Sequence, residues 1–571
     1  MIVRLSLILL TALSVSGAEP FRGAVVPWVT YEAEDLAGTG TKLGPQYDPG
    51  LVATEASGQR CVALSGGGQY LELVARAPAN AVVLRYSLRD AENGGGIDSS
   101  LGLYQNGKII ARVPLTSRYS HLYGAYPFSN RPQDGHPRNF FDEVRVQGLA
   151  IARNDRLRLQ PEATNGNDGC IIDFVDLEHV PAPLAPPPNS LAVTDARFAA
   201  VGDGQADDTA AVRQCIEAAR QGGRTVWLPP GTYKITGDLD VPAGVTIQGA
   251  GMWHTTLIGD PRLYGDAHKR VRLTGGGSDI HLADFAIIGK LTYRSDEEPN
   301  DGIDGSFGLN STISRIWIEH TKTGIWVNNS SNLVVEGCRF RNTIADGVNF
   351  CVGMRNSTIR NCAARGTGDD GFAIWPATHA AQDFRPGGNV IQHCTAQFPF
   401  LANGAAIYGG EGNRIEACRF VDVAAGCGVL ISTAFSTADA SRQIDNNFSG
   451  TTVVSDCDVV RCGGYDPFWQ WRGAIQLCLD RHSISGLDLR DLSIRDSIAD
   501  GLSIVAPGGA RGQGFLTETH IRHVEILHSG LGTSGRHGLW VGSDVSGRMG
   551  ISDSQIAEEE NNSATFTIER N

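Results

Sequence analysis

The sequence predicts an all-β protein, a right-handed parallel β-helix preceded by a β-sandwich domain. Three observations carry this. Short β-branched runs punctuated by Gly, Asn and Asp dominate the chain, and helical periodicity is rare. The 571 residues include 70 glycines, which points to many tight turns. From about residue 232 onward a degenerate repeat of roughly 24 to 39 residues recurs without intervening helices, which is the mark of a solenoid.

Taken in order, residues 1–18 read as a signal peptide. One Arg precedes an apolar run, and Ser16-Gly17-Ala18 forms a small-residue cleavage site. The run is too short for a stable membrane span and no later stretch qualifies. A secreted, soluble and monomeric protein is therefore expected, either extracellular or periplasmic. The net charge of −14 argues against nucleic acid and anionic membrane surfaces as partners, since both require a basic face.

Residues 22–180 carry alternating apolar runs such as YLELVA, AVVLRYSLRD and CIIDFVDLEHV, the pattern of a β-sandwich. Asn106-Gly107 is a hairpin signal. The end segments YEAED (31–35) and CIIDFVDLEHV (170–180) resemble the first and last strands of carbohydrate-binding modules of the galactose-binding-like type. That resemblance implies a structural Ca²⁺ held by Glu32, Glu34 and Asp173, whose hard oxygens suit the ion. The other reading is solvated acids at strand ends. Cys61 and Cys170 lie in the same domain, and sequence alone does not decide whether they pair.

The Pro-rich stretch 181–190 is stiff and poor in backbone donors, and so reads as a linker. Residues 191–571 form the β-helix domain. It opens on Asp207-Asp208, an acid pair that directly precedes the one convincing amphipathic helix, and N-capping with the helix dipole explains that pair. The helix and the strands around it resemble the N-terminal cap of pectate-lyase-like β-helices. Beyond it one half-repeat reads Asn, strand, Cys, as in NLVVEGCRF (332–340) and NSTIRNCAA (356–364). The other reads Gly and then an alternating strand, as in DGVNF, DGFAI and NGAAI. Cys338, Cys362, Cys394, Cys418 and Cys457 share one repeat position, so they are expected to form an inward column rather than disulfides.

The cysteine column serves as a ruler. Asp346 follows Cys338 at the same offset as Asp370 follows Cys362, which places the two acids on neighbouring coils about 4.8 Å apart. Asp369 is adjacent, so three carboxylates converge. The flanking coils carry Thr323 and Asn403 at that position, so the triad is local. No helix follows Asp369-Asp370, and capping fails as its explanation. Like charges this close raise at least one pKa, and glycosidic cleavage needs one protonated acid beside one ionised base. Strand alternation turns Trp326 and Asn349 outward onto the same surface, with Trp375 continuing that parity. An exposed Trp beside carboxylates suits stacking on a sugar face.

The stretches GAGMWHTTLIG (249–259), IWIEHTKTGIWV (316–327), IADGVNF (344–350) and GTGDDGFAIW (366–375) resemble glycoside hydrolase family 87, which comprises α-1,3-glucanases and mycodextranases. The resemblance implies an endo-acting hydrolase of α-1,3-glucosidic bonds that inverts the anomeric centre and needs no cofactor for catalysis. It implies Asp369 as general acid, with Asp346 and Asp370 activating water. Trp326, Asn349 and Trp375 are the substrate-binding candidates, and α-glucan polysaccharide is the expected partner. Three alternatives remain at this level: a mycodextranase cutting alternating α-1,3/α-1,4-glucan, a non-catalytic β-helix carbohydrate-binding or adhesion protein, and a Ca²⁺ site built by the triad itself. A lyase acting on uronates is disfavoured, because a bare acidic triad repels a polyanion.

Overall fold

The computed structural model describes residues 21–571 except 67, 127, 163–168, 436–437, 440–443, 467–469 and 508–514. The expected signal peptide, 1–18, lies outside the described residues. The chain is nearly all-β, and its one α-helix among the described residues, α1, runs Thr209–Gly222.

The N-terminal unit has two large antiparallel sheets and a two-stranded one, Leu122–Tyr123 with Pro137–Arg138. Trp28–Glu32, Thr41–Leu43, Cys61–Leu64, Ala79–Ser87, Asp142–Ile151 and Cys170–Glu178 form the first large sheet, and five strands including Leu71–Val74, Asp98–Gln105 and Arg156–Pro161 form the second. Leu84 and Ile172 from the first meet Leu103 and Leu157 from the second in one buried apolar cluster. Asn106 and Gly107 join Asp98–Gln105 to Lys108–Thr116 with φ of 51° and 83°, as an Asn-Gly hairpin requires. Cys170 pairs with Leu64, so Cys61 sits three residues further along the ladder. That offset is about 10 Å at strand rise, too far for a bridge, and both cysteines are buried and free.

From Ser190 on, the strands pair in parallel apart from the short antiparallel pair Ala438–Asp439 and Ile444–Asp445, consistent with a β-helix. One coil shows the plan. Val334–Glu336, Arg339–Arg341 and Val348–Phe350 are followed by Thr358–Arg360, Ala363–Arg365 and Phe372–Ile374, each strand pairing in register with its successor. Val335, Phe340, Val348 and Phe350 point into a core that runs the length of the stack. The five column cysteines are buried and free as expected, with the Cys394 amide 3.4 Å from Cys418 Sγ and the Cys418 amide 3.4 Å from Cys457 Sγ. Each follows a residue in the left-handed region: Gly337, Asn361, His393, Ala417 and Asp456. That residue turns the chain between two short strands of three or four residues.

Helix α1 lays Val212, Cys215, Ile216 and Ala219 over the first coils and so closes that end of the core. The capping expectation holds in part. Asp207 accepts from the Thr209 amide at 3.0 Å, but Asp208 makes no side-chain cap. Its carboxylate instead accepts from the amides of Val201 and Gly202 at 2.7 and 3.2 Å, tying down the preceding loop.

The two units meet across a buried polar seam. Arg339 donates to both oxygens of Glu178 at 2.8 Å, Arg341 to Glu143 at 3.0 Å and Arg365 to Asp176 at 2.6 Å. All three guanidinium groups lie over the Trp28 ring at 4.8, 5.7 and 4.9 Å. Buried charges are tolerated when paired and fully hydrogen-bonded, and Arg341 also donates to the carbonyls of Phe340 and Ala363 at 2.8 Å.

Candidate active site

The strands Val348–Phe350 and Phe372–Ile374 are each preceded by an Asp-Gly pair. The Gly347 amide donates to the Asp370 carbonyl at 3.0 Å, the Gly324 amide to Asp346 at 2.9 Å and the Gly371 amide to Asn403 at 2.8 Å. Thr323, Asp346, Asp370 and Asn403 therefore stack in the register read from the cysteines. Glycine is required after each acid: a Cβ on Gly347 would lie 2.5 Å from the Gly371 carbonyl, and one on Gly371 would lie 2.6 Å from that of Gly404. The bare backbone lets the coils close up and brings the acids together.

One oxygen from each of Asp346, Asp369 and Asp370 lies within 4.8 Å of the others. Asp346 and Asp370 are buried, while Asp369 is partly open to solvent. Burial, and then the charges of Asp369 and Asp370, push the Asp346 carboxyl well above its ordinary value. Burial and the Asp369 charge push Asp370 up to about 7, against the opposing pull of two donors. Those donors are Asn403, through its amide at 3.1 Å and Nδ2 at 2.8 Å, and the Tyr408 hydroxyl at 2.9 Å. Arg294 Nη2 donates to Asp369 Oδ2 at 2.7 Å, and its Nε to Asp296 at 2.9 Å. A buried site of this kind holds a proton on one acid beside a charge on another at near-neutral pH.

The acids floor a cleft with two lobes. The first, of about 570 Å³, is lined by Trp326, Asn349, Trp375, Asp304, Lys322 and His379. The second, of about 440 Å³, is lined by Ser432, Asp466, Arg472 and Asp480. Tyr126, Arg294, Asp369, Tyr408 and Phe435 border both. The outward parity of Trp326, Asn349 and Trp375 thus brings all three into the first lobe. Trp326 and Trp375 meet edge-to-face with centroids 5.6 Å apart. The Asn349 Oδ1 and Trp375 Nε1 atoms are buried without a hydrogen-bond partner, and both residues line the cleft. Buried polar atoms left unpaired are costly unless a ligand uses them.

Glu32, Glu34 and Asp173 lie close enough to raise one another, and Glu32 Oε2 and Glu34 Oε2 are buried without a hydrogen-bond partner, but among the described residues the three do not reach the ligand spacing of the triad. Asp173 is wholly buried, pairs with Arg85 and accepts from the Ser57 amide at 2.9 Å. Burial and the charges of Asp173 and Glu34 push the Glu32 carboxyl up to about 8. Arg85, from the neighbouring strand, neutralises Asp173 but does not partner the free oxygens of Glu32 and Glu34. Among the described residues, the one group of three acids with ligand-like spacing is the triad itself. There the Asp370 oxygens are taken by Asn403 and Tyr408, and Arg294 already supplies a fixed positive charge.

Several cleft residues escape the sequence reading. Tyr408 follows the strand Ala405–Ile407 as Trp375 follows Phe372–Ile374, and Ile374 pairs with Ile407, so the same parity rule finds it. Asn403 was located by register, but its role as a donor needs coordinates. Arg294 and Tyr126 come from a loop and from the other unit, and no local signal marks them.

Comparison with known proteins gives a consistent result. Residues 25–180 match the family model for α-1,3-glucanase catalytic domain D1, and residues 205–502 match that for domain D2. Among solved structures, the Agl-KA catalytic domain is similar at 27% identity over 98% of this chain and 100% of that one, with a TM-score of 0.83. The catalytic unit of the thermostable GH87 α-1,3-glucanase from Streptomyces thermodiastaticus strain HF3-3 is 31% identical over 96% of both chains, with a TM-score of 0.81. A GH87 α-1,3-glucanase catalytic domain in complex with nigerose is 25% identical over 96% of this chain and 99% of that one, with a TM-score of 0.75. Mannuronan C5-epimerase AlgE5 of Azotobacter vinelandii is 27% identical over 46% of this chain. The match spans about a quarter of the length of that curated relative (25%).

Proposed function

Because the chain belongs to glycoside hydrolase family 87, by both catalytic-domain matches and by its 31% identity to the Streptomyces enzyme, we propose that it is a secreted endo-glycosidase cleaving α-1,3-glucosidic bonds of an α-glucan with inversion. The reading places the work on a right-handed parallel β-helix, residues 191–571, joined through the Pro-rich stretch 181–190 to a β-sandwich, 22–180. The observation that carries glycosidic cleavage is the triad, one oxygen from each of three acids within 4.8 Å of the others at the floor of a two-lobed cleft; inversion is what the family resemblance implies, the spacing itself being shorter than that of a usual inverting pair.

In this reading Asp369, the most accessible of the three, protonates the glycosidic oxygen as the bond to C1 breaks. Asp346 and Asp370 hold a water on the opposite side of the sugar and take its proton as the hydroxyl adds to C1. The raised values of Asp346 and Asp370 keep a proton within the triad near neutrality, and this mechanism requires that proton to pass to Asp369 before the bond breaks. Arg294 donates to Oδ2 of Asp369 at 2.7 Å and the Asp370 amide to Oδ1 at 3.2 Å, so both oxygens are oriented by the protein. A groove continuing on both sides of Asp369 supports attack within a chain rather than at its end. The unpaired Asn349 Oδ1 and Trp375 Nε1 supply an acceptor and a donor for sugar hydroxyls, and Trp326 an apolar wall.

Proton NMR of the first products from α-1,3-glucan, with nigeran in parallel, tests this. The β-anomer is expected first, and Asp369→Asn is expected to remain folded with nearly all activity lost. Early α-anomer would overturn inversion. Retained activity in the variant would overturn the acid assignment, and an absence of released sugar would overturn the substrate class.

A further inference from the structure

We propose that the N-terminal unit clamps the active site, and that it does so through Arg294, a positioning residue for Asp369. The inference rests on the reading of Asp369 as the general acid. Arg294 sits in the loop between the strands Ala286–Ile288 and Gly302–Leu309, yet its side chain is only 6% exposed. Its guanidinium reaches Asp369 and Asp296, the Ile344 carbonyl at 3.4 Å and the Tyr126 hydroxyl at 3.3 Å. A loop without sheet pairing pays conformational entropy to stay in one place, so something must hold it.

The holding residues come from the other unit. Two residues before Arg294, the Thr292 carbonyl accepts from Asn130 Nδ2. Two residues after it, Asp296 accepts from the Tyr126 hydroxyl. The same stretch is anchored by Leu122 and Phe128, which pack on Phe400 and Leu401. The Phe400 amide in turn donates to the Thr367 carbonyl at 2.9 Å, two residues before Asp369. The N-terminal stretch thus grips Asp369 from two directions, through the Arg294 loop and through the turn bonded to Thr367. None of these contacts resembles the tether of a mobile binding module.

Arg294 also places its charge beside the triad. The charged and titratable groups facing it are Asp369, Asp296 and Tyr126, with Asp346 and Lys322 beyond. A cation there favours the ionised carboxylates. Removing it makes protonation easier, so both limbs of the pH–rate profile move to higher pH. Loss of mere packing would lower the rate at every pH and leave the limbs in place.

The experiment measures kcat and KM across pH for wild type, four single variants and one double variant on an α-1,3-linked oligosaccharide. Arg294→Gln is expected to lower kcat on the order of 10²-fold and to move both limbs up by about one pH unit. Arg294→Lys keeps the charge, so the limbs stay while kcat falls, because an ammonium cannot serve Asp296 and Asp369 as a fork. Tyr126→Phe keeps the ring at the cleft wall, and Asn130→Ala lies away from the cleft lining. Each is expected to lower kcat on the order of tenfold with KM unchanged, and the pair together by less than the product, since both act through one loop. Unmoved limbs in Arg294→Gln, or wild-type kcat in the Tyr126→Phe/Asn130→Ala double variant, would overturn the clamp. A wild type that does not cut α-1,3 bonds would instead overturn the functional reading beneath it.

Discussion

Replacing Asp370 by Asn should destroy catalysis and make the protein more stable. Asp370 is 2% exposed, and its carboxyl is raised from 3.8 to about 7. A group whose folded value exceeds its unfolded value binds more protons in the native state, so stability is full below the unfolded value and is lost as pH rises through the folded one. The window therefore runs from about pH 4 to about pH 7. A gap of roughly 3 units corresponds to about 4 kcal/mol of destabilisation above pH 7. Asn carries no charge, so it escapes this loss, although it accepts less strongly from Asn403 and Tyr408, which costs about 1 kcal/mol. A net gain of roughly 3 kcal/mol at pH 8, fading towards zero at pH 4, is the expectation. Denaturant melts of wild type and Asp370→Asn at the two pH values measure it, alongside an activity loss on the order of 10³-fold. A variant no more stable at pH 8, or one whose gain is the same at both pH values, would refute the reasoning.

Three further outcomes follow from named contacts. Tyr408→Phe deletes a donor that holds the Asp370 value down, so the acid limb of kcat/KM should move up by about one unit, read from initial rates across pH. Arg341→Met leaves Glu143 buried without its 3.0 Å partner. A loss of about 3–5 kcal/mol is expected, measured as a lowered melting temperature with easier proteolysis at 181–190. All twelve cysteines are buried and free, so the native protein should leave a thiol reagent unreacted, and a reductant should not change its melting temperature.

What the sequence made legible follows the repeat. A solenoid coil is local, so the offset from Cys338 to Asp346 could be laid over that from Cys362 to Asp370, and backbone pairing agrees with the result. Inward Val348 and Phe350 with outward Asn349 followed from strand parity alone. Contacts between distant segments carry no such signal. Arg85 beside Asp173, Asn130 beside Thr292 and Tyr126 beside Asp296 depend on how two units dock and on where an unpaired loop settles. The Asp207-Asp208 pair shows the same limit at short range. A helix start was legible there, but the bond from Asp208 back to Val201 was not.

The seam of Arg339, Arg341 and Arg365 against Glu178, Glu143 and Asp176 bears on how such a chain is inherited. Binding modules travel between genes because their surfaces are complete without a host. Here each half carries charges that only the other half neutralises, and Trp28 has its face covered by guanidinium groups from the other side of the junction. A recombination event that separated the halves would leave each fragment with an unpaired charged face, and the N-terminal one with Trp28 uncovered. Selection therefore acts on the pair as one heritable block, and a chimaera with another front half would need a matching set of acids before it could fold.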